Sequence, residues 1–246
     1  MVAMVEVRIG TSGWSYDHWE HVLYRPGLPA RERLAAYCAE FDTVELNASF
    51  YRWPREASFA SWHRRLPPGF LMTVKAPRGL SHAKRLFAPE TWTGRIEAGM
   101  HALGDRRGTL LVQLPPTLER DDARLDWFLA GLPPWITAAV EFRHASWNCE
   151  EVYGLLERRG AVHVVTSGAG LPCVLRATHQ LVYLRLHGPD EHWLYGGSYS
   201  DESLGWWADR IREWTWQSRS VHAYFNNDGD GNAVRNARTL KWMLGM

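Results

Sequence analysis

The sequence predicts a TIM-type (β/α)8 barrel, and three observations lead to this fold class. Eight short apolar runs recur along the 246 residues, and most segments between them have helical spacing. The length is close to that of a single eight-unit barrel. Each run ends at or near polar or charged residues, and barrels of this class place their active sites at the carboxyl ends of their strands. We therefore expect one domain spanning residues 1–246.

The eight predicted strands are separated by turn residues and helical segments, an alternation typical of a parallel sheet with helical connections. Asn148, with Glu151 three residues later, has the form of a helix start between strands five and six. In chain order the strands are VRIGTSG (7–13), TVELN (43–47), FLMTVKAP (70–77), TLLVQLP (109–115), AAVEFRH (138–144), AVHVVTS (161–167), LVYLRLHG (181–188) and SVHAYFNND (220–228).

Helical segments show apolar residues three and four positions apart. Leu34, Cys38 and Phe41 form such a stripe after the first strand. The exception is SGAGLPCVLRATHQ (167–180), which is short, contains glycine and lacks a periodic apolar face. We therefore expect an irregular or missing helix between strands six and seven.

Composition narrows the classes of function. The formal net charge is +1, so no broad electrostatic field draws the chain to nucleic acid or to an anionic membrane. Cys38, Cys149 and Cys173 are far apart and show neither zinc-site nor disulfide spacing. The opening MVAMVEVRIG has no leader pattern, and no stretch approaches about 18 apolar residues. A cytoplasmic protein with no membrane partner is the expectation.

Strand alternation separates the polar residues of each strand from its apolar ones. In TVELN, Val44 and Leu46 form an apolar face that suits a layer of helices, so Glu45 and Asn47 are expected to point to the barrel interior. Other strands repeat this pattern. Their inward polar residues are Lys75, Gln113, Glu141, Arg143, Arg185 and His187. The structural alternative is a buried ion network that only neutralises itself.

Several longer motifs together resemble those of the YecE-like proteins, a barrel family with an unassigned activity. The motifs are GTSGW (10–14), FDTVELNASFYRWP (41–54), VKAPRGLSHAKRL (74–86), VQLPP (112–116), EFRHASW (141–147), RLHG (185–188) and YFNND (224–228). The resemblance spans nearly the whole chain. It implies the barrel and one pocket surrounded by these motifs. It also implies an acidic residue after strand six, where this chain has Ser167 and Gly168.

The residue types predict acid and base chemistry on an anionic group. Glu45 and Glu141 suit an acid and base pair, and His187 can transfer protons near neutral pH. Lys75, Arg143 and Arg185 concentrate positive charge, and arginine matches phosphate or carboxylate bidentately. For each residue, a structural ion pair or hydrogen bond is the alternative. The predicted substrate-binding residues are Trp14, Tyr16, Asn47, Tyr51, Lys75, Gln113, Arg143, His144, Trp147, Arg185, Tyr199, Asn226, Asn227 and Asp228.

Two further interpretations concern ligands. A divalent metal held by Glu45, Glu141, His187 and Asp228 stays open, although no compact motif enforces its geometry. His82, in the loop after strand three, is interpreted as a residue at the rim of the barrel.

Three functions follow from these residues. The leading one is an enzyme, a hydrolase or isomerase, that acts on a small anionic substrate such as a phosphodiester or a phosphosugar. The alternatives are nucleic-acid binding without catalysis and small-ligand binding. The fingerprints of nucleotide-binding loops and the serine nucleophile elbow are absent from the sequence, so no nucleotide cofactor is expected.

Overall fold

The computed structural model of the protein describes residues 5–246, and eight parallel strands form its sheet. The strand order is β1-β8-β7-β6-β5-β4-β3-β2. With helices between the strands, this order confirms the predicted TIM-type (β/α)8 fold class. The strands are β1 (Val7–Thr11), β2 (Thr43–Leu46), β3 (Leu71–Lys75), β4 (Arg107–Gln113), β5 (Ala138–Glu141), β6 (Val162–Ser167), β7 (Leu181–Leu186) and β8 (Ser220–Phe225).

Helices connect successive strands except between β6 and β7. That stretch, residues 168–180, contains turns and extended chain, as its poor periodicity predicted. Within residues 5–246 no helix is both long and apolar enough to cross a bilayer. The helices are α1 (Ala30–Cys38), α2 (Ala48–Tyr51), α3 (Glu56–Arg65), α4 (Glu90–Ala102), α5 (Asp122–Ala130), α6 (Glu150–Arg158), α7 (Asp201–Trp216) and α8 (Asn232–Met243).

The described chain groups into two compact units. Unit 1 contains residues 5–44, 165–173 and 180–246, and unit 2 contains residues 45–164 and 174–179. The single domain expected for residues 1–246 stays a prediction.

The core of unit 1 is built around β1, β7 and β8. In their register Gly10 lies opposite Tyr224, and Tyr224 lies opposite Arg185. The Tyr224 hydroxyl is 2.7 Å from Thr43 Oγ1. A Cβ on Gly10 would lie 2.4 Å from the backbone oxygen of Thr43, so only glycine fits at this point of β1. The close approach of the Thr43 backbone therefore requires a glycine at the first position of the GTSGW motif.

The loop between β7 and α7 is tied to α8 by one buried amide, Asn236. Its Oδ1 accepts from Tyr199 N at 3.1 Å and from Asn227 Nδ2 at 2.8 Å. Its Nδ2 donates to Ser198 Oγ at 3.0 Å and to Tyr199 O at 3.3 Å. One side chain thus satisfies both backbone polar groups of Tyr199 and fixes the end of the loop.

In unit 2 the register of β3, β4 and β5 sets which side chains share a face. Gln113 lies opposite Glu141, and Lys75 lies opposite Leu111, two positions before Gln113. Because side chains alternate along a strand, Lys75, Gln113 and Glu141 project from the same face. Phe142 lies on the opposite face, where it stacks on Trp147.

Extended chain takes the place of a helix beside β6. In unit 2, Thr178 Oγ1 accepts from His163 N at 2.8 Å and donates to Ala161 O at 2.9 Å. His163 Nδ1 lies 3.0 Å from Arg176 O. Since a carbonyl only accepts, Nδ1 carries the proton of a neutral ring. Burial lowers the pKa of His163 to about 4, so this bond is made by the uncharged imidazole.

The start of α6 differs from the prediction at Asn148. The helix begins at Glu150 with Cys149 as N-cap, and Asn148 ends a 3-10 turn, Ala145–Trp147. Asn148 Oδ1 instead accepts from Tyr153 OH at 3.3 Å. The preceding turn holds Asn148 outside the capping position, and this shifts the helix start by one residue.

Replacing the amide of Asn236 is expected to loosen the β7–α7 loop. Asn236→Ala removes four hydrogen bonds and leaves the backbone groups of Tyr199 unsatisfied, so we expect a loss of about 3 kcal/mol in the free energy of unfolding. Urea unfolding measures the loss. The hydrogen-exchange rate of the Tyr199 amide should increase more than the rate of the Val221 amide. Thr239→Ala, which removes a bond only within α8, is the control. Equal stability of the two variants would contradict the anchoring role.

Protonation of His163 is expected to lower the free energy of unfolding as the pH decreases through a defined range. Its folded pKa of about 4 lies below the unfolded value near 6.5, so the unfolded chain binds more protons between these values. Stability is fully present above pH ~6.5 and decreases by about 3 kcal/mol as the pH falls to ~4. His163→Gln should flatten this slope in urea unfolding series, whereas exposed His192→Gln should not. Parallel pH profiles for wild type and His163→Gln would refute the assignment.

Candidate functional site

Unit 2 contains a group of buried charges, which we call the carboxylate cluster. It comprises Lys75, Glu141 and Arg143, which all act electrostatically on His82, and Glu45 is a further buried carboxylate of the same unit. Glu45 and Glu141 are fully buried, and Lys75 is only 6% exposed. Glu45 lies within β2, Lys75 and Glu141 end β3 and β5, and Arg143 follows β5 by two residues. Strand alternation in this unit therefore carries acidic and basic groups into the interior, as the sequence predicted.

A salt bridge in the carboxylate cluster joins Arg143 to Glu141. Arg143 Nε donates to Glu141 Oε1, and the two side chains are 5% and 0% exposed. A buried carboxylate is costly unless a cation and hydrogen bonds compensate it. This pair therefore compensates the buried carboxylate of Glu141 and orients the guanidinium beside it.

Lys75 is held by the end of β2 and the short helix α2. Ser49 Oγ is 2.6 Å from Lys75 O and 2.8 Å from Leu46 O, which joins the ends of β2 and β3. Lys75 Nζ lies 4.4 Å from the centre of the Phe50 ring. The aromatic face attracts the ammonium electrostatically, and this contact sets the position of the buried cation.

Two predicted binding residues, Asn47 and Gln113, present buried amide oxygens. Among residues 5–246, neither Asn47 Oδ1 nor Gln113 Oε1 has a hydrogen-bond donor. A buried acceptor left without a donor costs about 1–3 kcal/mol. Gln113 lies opposite Glu141 in the β4–β5 register, so an unsatisfied acceptor is next to a buried carboxylate.

The other predicted residues of unit 2 have different positions. Tyr51 is 79% exposed at the end of α2. His144 caps the 3-10 turn, with Nδ1 accepting from Ser146 N and lying 2.8 Å from Ser146 Oγ. Trp147, expected to contact substrate, is 1% exposed and donates from Nε1 to Leu118 O at 2.8 Å. It is a packing residue because its ring stacks on Phe142, on the apolar face of β5.

His82 was not predicted as a site residue, although it belongs to the motif VKAPRGLSHAKRL. It lies in a π-helical turn, Gly79–Ala83, after β3, and its ring packs edge-on against Phe50 at 4.9 Å. Burial lowers the pKa of His82 most, and Lys75, Arg78 and Arg143 lower it further against an opposing effect of Glu141. The charges of the carboxylate cluster therefore act on this ring.

Unit 1 has its own polar cluster at the ends of β7 and β8, centred on His187. Arg185 and His187 are both fully buried and project from the same face of the chain. Arg185 Nη1 lies 3.5 Å from His187 Nε2, and Asn226 Nδ2 lies 3.2 Å from His187 Nδ1. Tyr195 packs edge-on against the imidazole at 5.3 Å.

Ser167, at the end of β6, accepts a hydrogen bond from Tyr199. The Tyr199 hydroxyl is 3.0 Å from Ser167 Oγ and accepts from Gly188 N at 3.0 Å. Burial raises the pKa of Tyr199 to about 12, so the hydroxyl stays protonated. Ser167, where the family resemblance implied an acidic residue, thus joins a neutral hydrogen-bonded group. Asn227 is fully buried, and its Oδ1 has no hydrogen-bond partner among residues 5–246.

Asp228 accepts two hydrogen bonds from the segment after β1. Trp19 Nε1 donates to its Oδ1 at 2.6 Å, and His18 Nε2 lies 2.9 Å from Oδ2. Burial raises the pKa of Asp228, against the lowering effects of these two residues. Tyr16 packs on Trp19 at 5.0 Å and donates to Ser12 O at 2.8 Å. Trp14 is half-buried, and its backbone oxygen accepts from Tyr24 OH.

The metal interpretation has no support from the donor set. Across residues 5–246, no three His, Cys, Asp or Glu side chains group closely enough to hold a metal ion.

Comparison with known proteins identifies the family. A profile described as "Protein of unknown function DUF72" matches residues 8–246. UPF0759 protein YunF of Bacillus subtilis is 27% identical, over 97% of this chain and 94% of its own length. UPF0759 protein YecE of Escherichia coli K12 is 28% identical, over 56% of this chain and 48% of its own.

Solved structures of the same family share the fold. A DUF72 family protein of Thermotoga maritima is 32% identical, with a TM-score of 0.87 over 98% of this chain and 100% of the other. One from Enterococcus faecalis, 19% identical, has a TM-score of 0.81 over 98% and 96% of the two chains and supports the fold alone. Since the profile covers the chain from Arg8 to its last residue, the protein belongs to the DUF72 family, which confirms the resemblance to YecE-like proteins.

Proposed function

We propose that this protein is an enzyme that acts on a small phosphorylated and hydroxylated substrate, such as a phosphosugar, by carboxylate acid and base chemistry. The observation that carries the proposal is the pairing of Gln113 with Glu141 in the β4–β5 register. It places an unsatisfied amide oxygen beside a fully buried carboxylate whose partner is Arg143.

The charges of the carboxylate cluster support an anionic substrate group. Two buried carboxylates and two nearly buried cations are expensive to hold in a protein interior, and apolar packing of the same volume is often as stable. A self-neutralising network would explain the charges alone. It would not explain Asn47 Oδ1 and Gln113 Oε1, which are acceptors without donors.

Substrate hydroxyl groups would supply the missing donors. Each hydroxyl can donate to one amide oxygen, while Lys75 and Arg143 bind the phosphate. A phosphorylated polyol therefore matches both features of the cluster, whereas inorganic phosphate matches only the cations. This match favours a phosphosugar over a simple phosphodiester.

In the proposed reaction Glu141 is the general base and Glu45 the acid that returns the proton. A carboxylate next to a substrate C–H or O–H group can accept its proton if both are within hydrogen-bonding distance. Arg143 orients Glu141 and stabilises the negative charge that develops on the substrate. The predicted roles of Arg185 and His187 stay predictions.

Nucleic-acid binding is the less favoured alternative. A protein that tracks a phosphate backbone needs a broad surface of accessible cations, and the formal net charge of the chain is only +1. Weak dependence of oligonucleotide binding on salt would count against this alternative as well.

Gln113→Leu is expected to separate ligand binding from stability. The substitution removes an unsatisfied acceptor, so the variant should be as stable as wild type or more stable by about 1 kcal/mol. It should nevertheless bind ribose 5-phosphate or glycerol 3-phosphate about tenfold more weakly, since a substrate hydroxyl loses its partner. Calorimetry with these compounds, and with ribose as the uncharged comparison, measures the affinities. Exposed Gln217→Leu is the control. Phosphosugar affinities unchanged by Gln113→Leu would rule out this site.

Glu141→Gln is expected to abolish turnover while keeping the fold. The amide retains an acceptor for Arg143 but cannot take a proton, so turnover of a bound phosphosugar should fall by about a hundredfold or more. Proton and phosphorus NMR of the reaction mixture detect the product, and circular dichroism checks the fold. Arg159→Lys, at an exposed pair with Asp126, is the control. Wild-type turnover by Glu141→Gln would exclude the carboxylate as base.

A further inference from the structure

The π-helical turn Gly79–Ala83 gives His82 a defined place beside the carboxylate cluster. A Cβ added to Gly79 would lie 2.3 Å from Trp92 Cζ2, so the turn packs tightly against the first part of α4. Ser81 in the turn is buried, and His82 is half-buried. π-Helical turns are rare and frequently occur at functional sites. The turn therefore holds the half-buried imidazole of His82 in a defined position.

Phe50 is a common wall for His82 and Lys75. The imidazole meets the Phe50 ring edge-on, with centroids 4.9 Å apart and planes at 81°. Lys75 Nζ lies 4.4 Å from the centroid of the same ring. An anion that approaches the ammonium along this wall therefore also comes near the imidazole.

Ser81 contacts the Nδ1 atom of His82 and so bears on the tautomer of the ring. Ser81 Oγ lies 3.3 Å from Pro77 O and 3.0 Å from His82 Nδ1. When the single hydroxyl proton of Ser81 is donated to Pro77 O, the hydroxyl oxygen accepts from Nδ1–H of His82. In a neutral ring Nε2 is then unprotonated. Among residues 5–246, no side chain or backbone group is hydrogen-bonded to Nε2.

Charged groups face this ring from three elements. They are Lys75 on β3, Arg78 before the turn, and Glu141 and Arg143 at the end of β5. Burial and the three cations favour the neutral imidazole, and Glu141 opposes them. The neutral form of His82 is therefore favoured, in surroundings of three cations and one carboxylate.

We infer that His82 Nε2 takes the proton of an anionic ligand bound by Lys75 and Arg143, which makes His82 a further catalytic base of the site. This inference rests on the proposed function. With inorganic phosphate as probe, the O–H bond of H₂PO₄⁻ breaks and the Nε2–H bond forms. The products are HPO₄²⁻ and the imidazolium, so the total charge is unchanged. A substrate hydroxyl would lose its proton in the same way.

The test is NMR of ¹⁵N-histidine-labelled protein titrated with acid, with and without inorganic phosphate. The His82 signal is assigned by its loss in His82→Gln. We expect the Nδ1–H tautomer in the free protein and a rise of about one unit or more in the titration midpoint of His82 when phosphate binds. Tautomer and midpoint are both read in the wild-type protein, so they do not depend on how the variant folds.

Calorimetry completes the test with His82→Gln and with exposed His101→Gln as its control. Phosphate affinity should fall about tenfold in His82→Gln near pH 6 and stay unchanged in His101→Gln. Phosphate binding with an unmoved His82 midpoint, or an Nε2–H tautomer in the free protein, would overturn the role of His82 and leave the proposed function standing. Absence of binding of both inorganic phosphate and ribose 5-phosphate to the wild-type protein would overturn both.

Discussion

The buried ion pair between Glu141 and Arg143 is the interaction on which the polar interior of unit 2 depends. A carboxylate that is fully buried at the end of a strand would otherwise become protonated or would destabilise the fold by several kcal/mol. The pair fixes the position of both groups, and Gln113 lies next to it in the register. The buried pair is accompanied by the amide of Gln113 in the same register and by Lys75, which packs on the Phe50 ring.

Strand alternation made much of this arrangement predictable from the sequence. In VEFRH the apolar residues occupy one parity and Glu141 and Arg143 the other, so burial on two different faces follows from the period of a strand. The same reasoning predicted the missing helix after β6, because residues 167–180 carry no periodic apolar stripe. These predictions succeed because they depend only on the alternation of side chains along a strand and on whether each side chain is polar or apolar. Both can be read from the sequence.

The remaining features depend on contacts between segments distant along the chain. Trp147 follows a strand end, as a binding residue would, and only the tertiary fold shows its ring stacked on Phe142. Asn236 lies within a helix and forms hydrogen bonds with the backbone of Tyr199. Nothing in the sequence around Asn236 indicates these bonds. The role of His82 needs the tautomer in which Nδ1–H donates to Ser81, and this contact depends on the conformation of a π-helical turn. Residue type alone cannot distinguish these outcomes.

Charge balance connects the carboxylate cluster to proton transfer. The buried side chains of Glu45, Glu141, Lys75 and Arg143 in unit 2 have formal charges that sum to zero. A phosphate dianion would add two negative charges to a region of low dielectric, where uncompensated charge is strongly unfavourable. Uptake of one proton by a neutral base at the edge of the cluster reduces that excess, and Arg78 at the start of the turn reduces it further. A site built from equal numbers of acids and bases therefore needs a titratable neighbour to accept a dianion, and in unit 2 His82 has the position and the protonation state for that role.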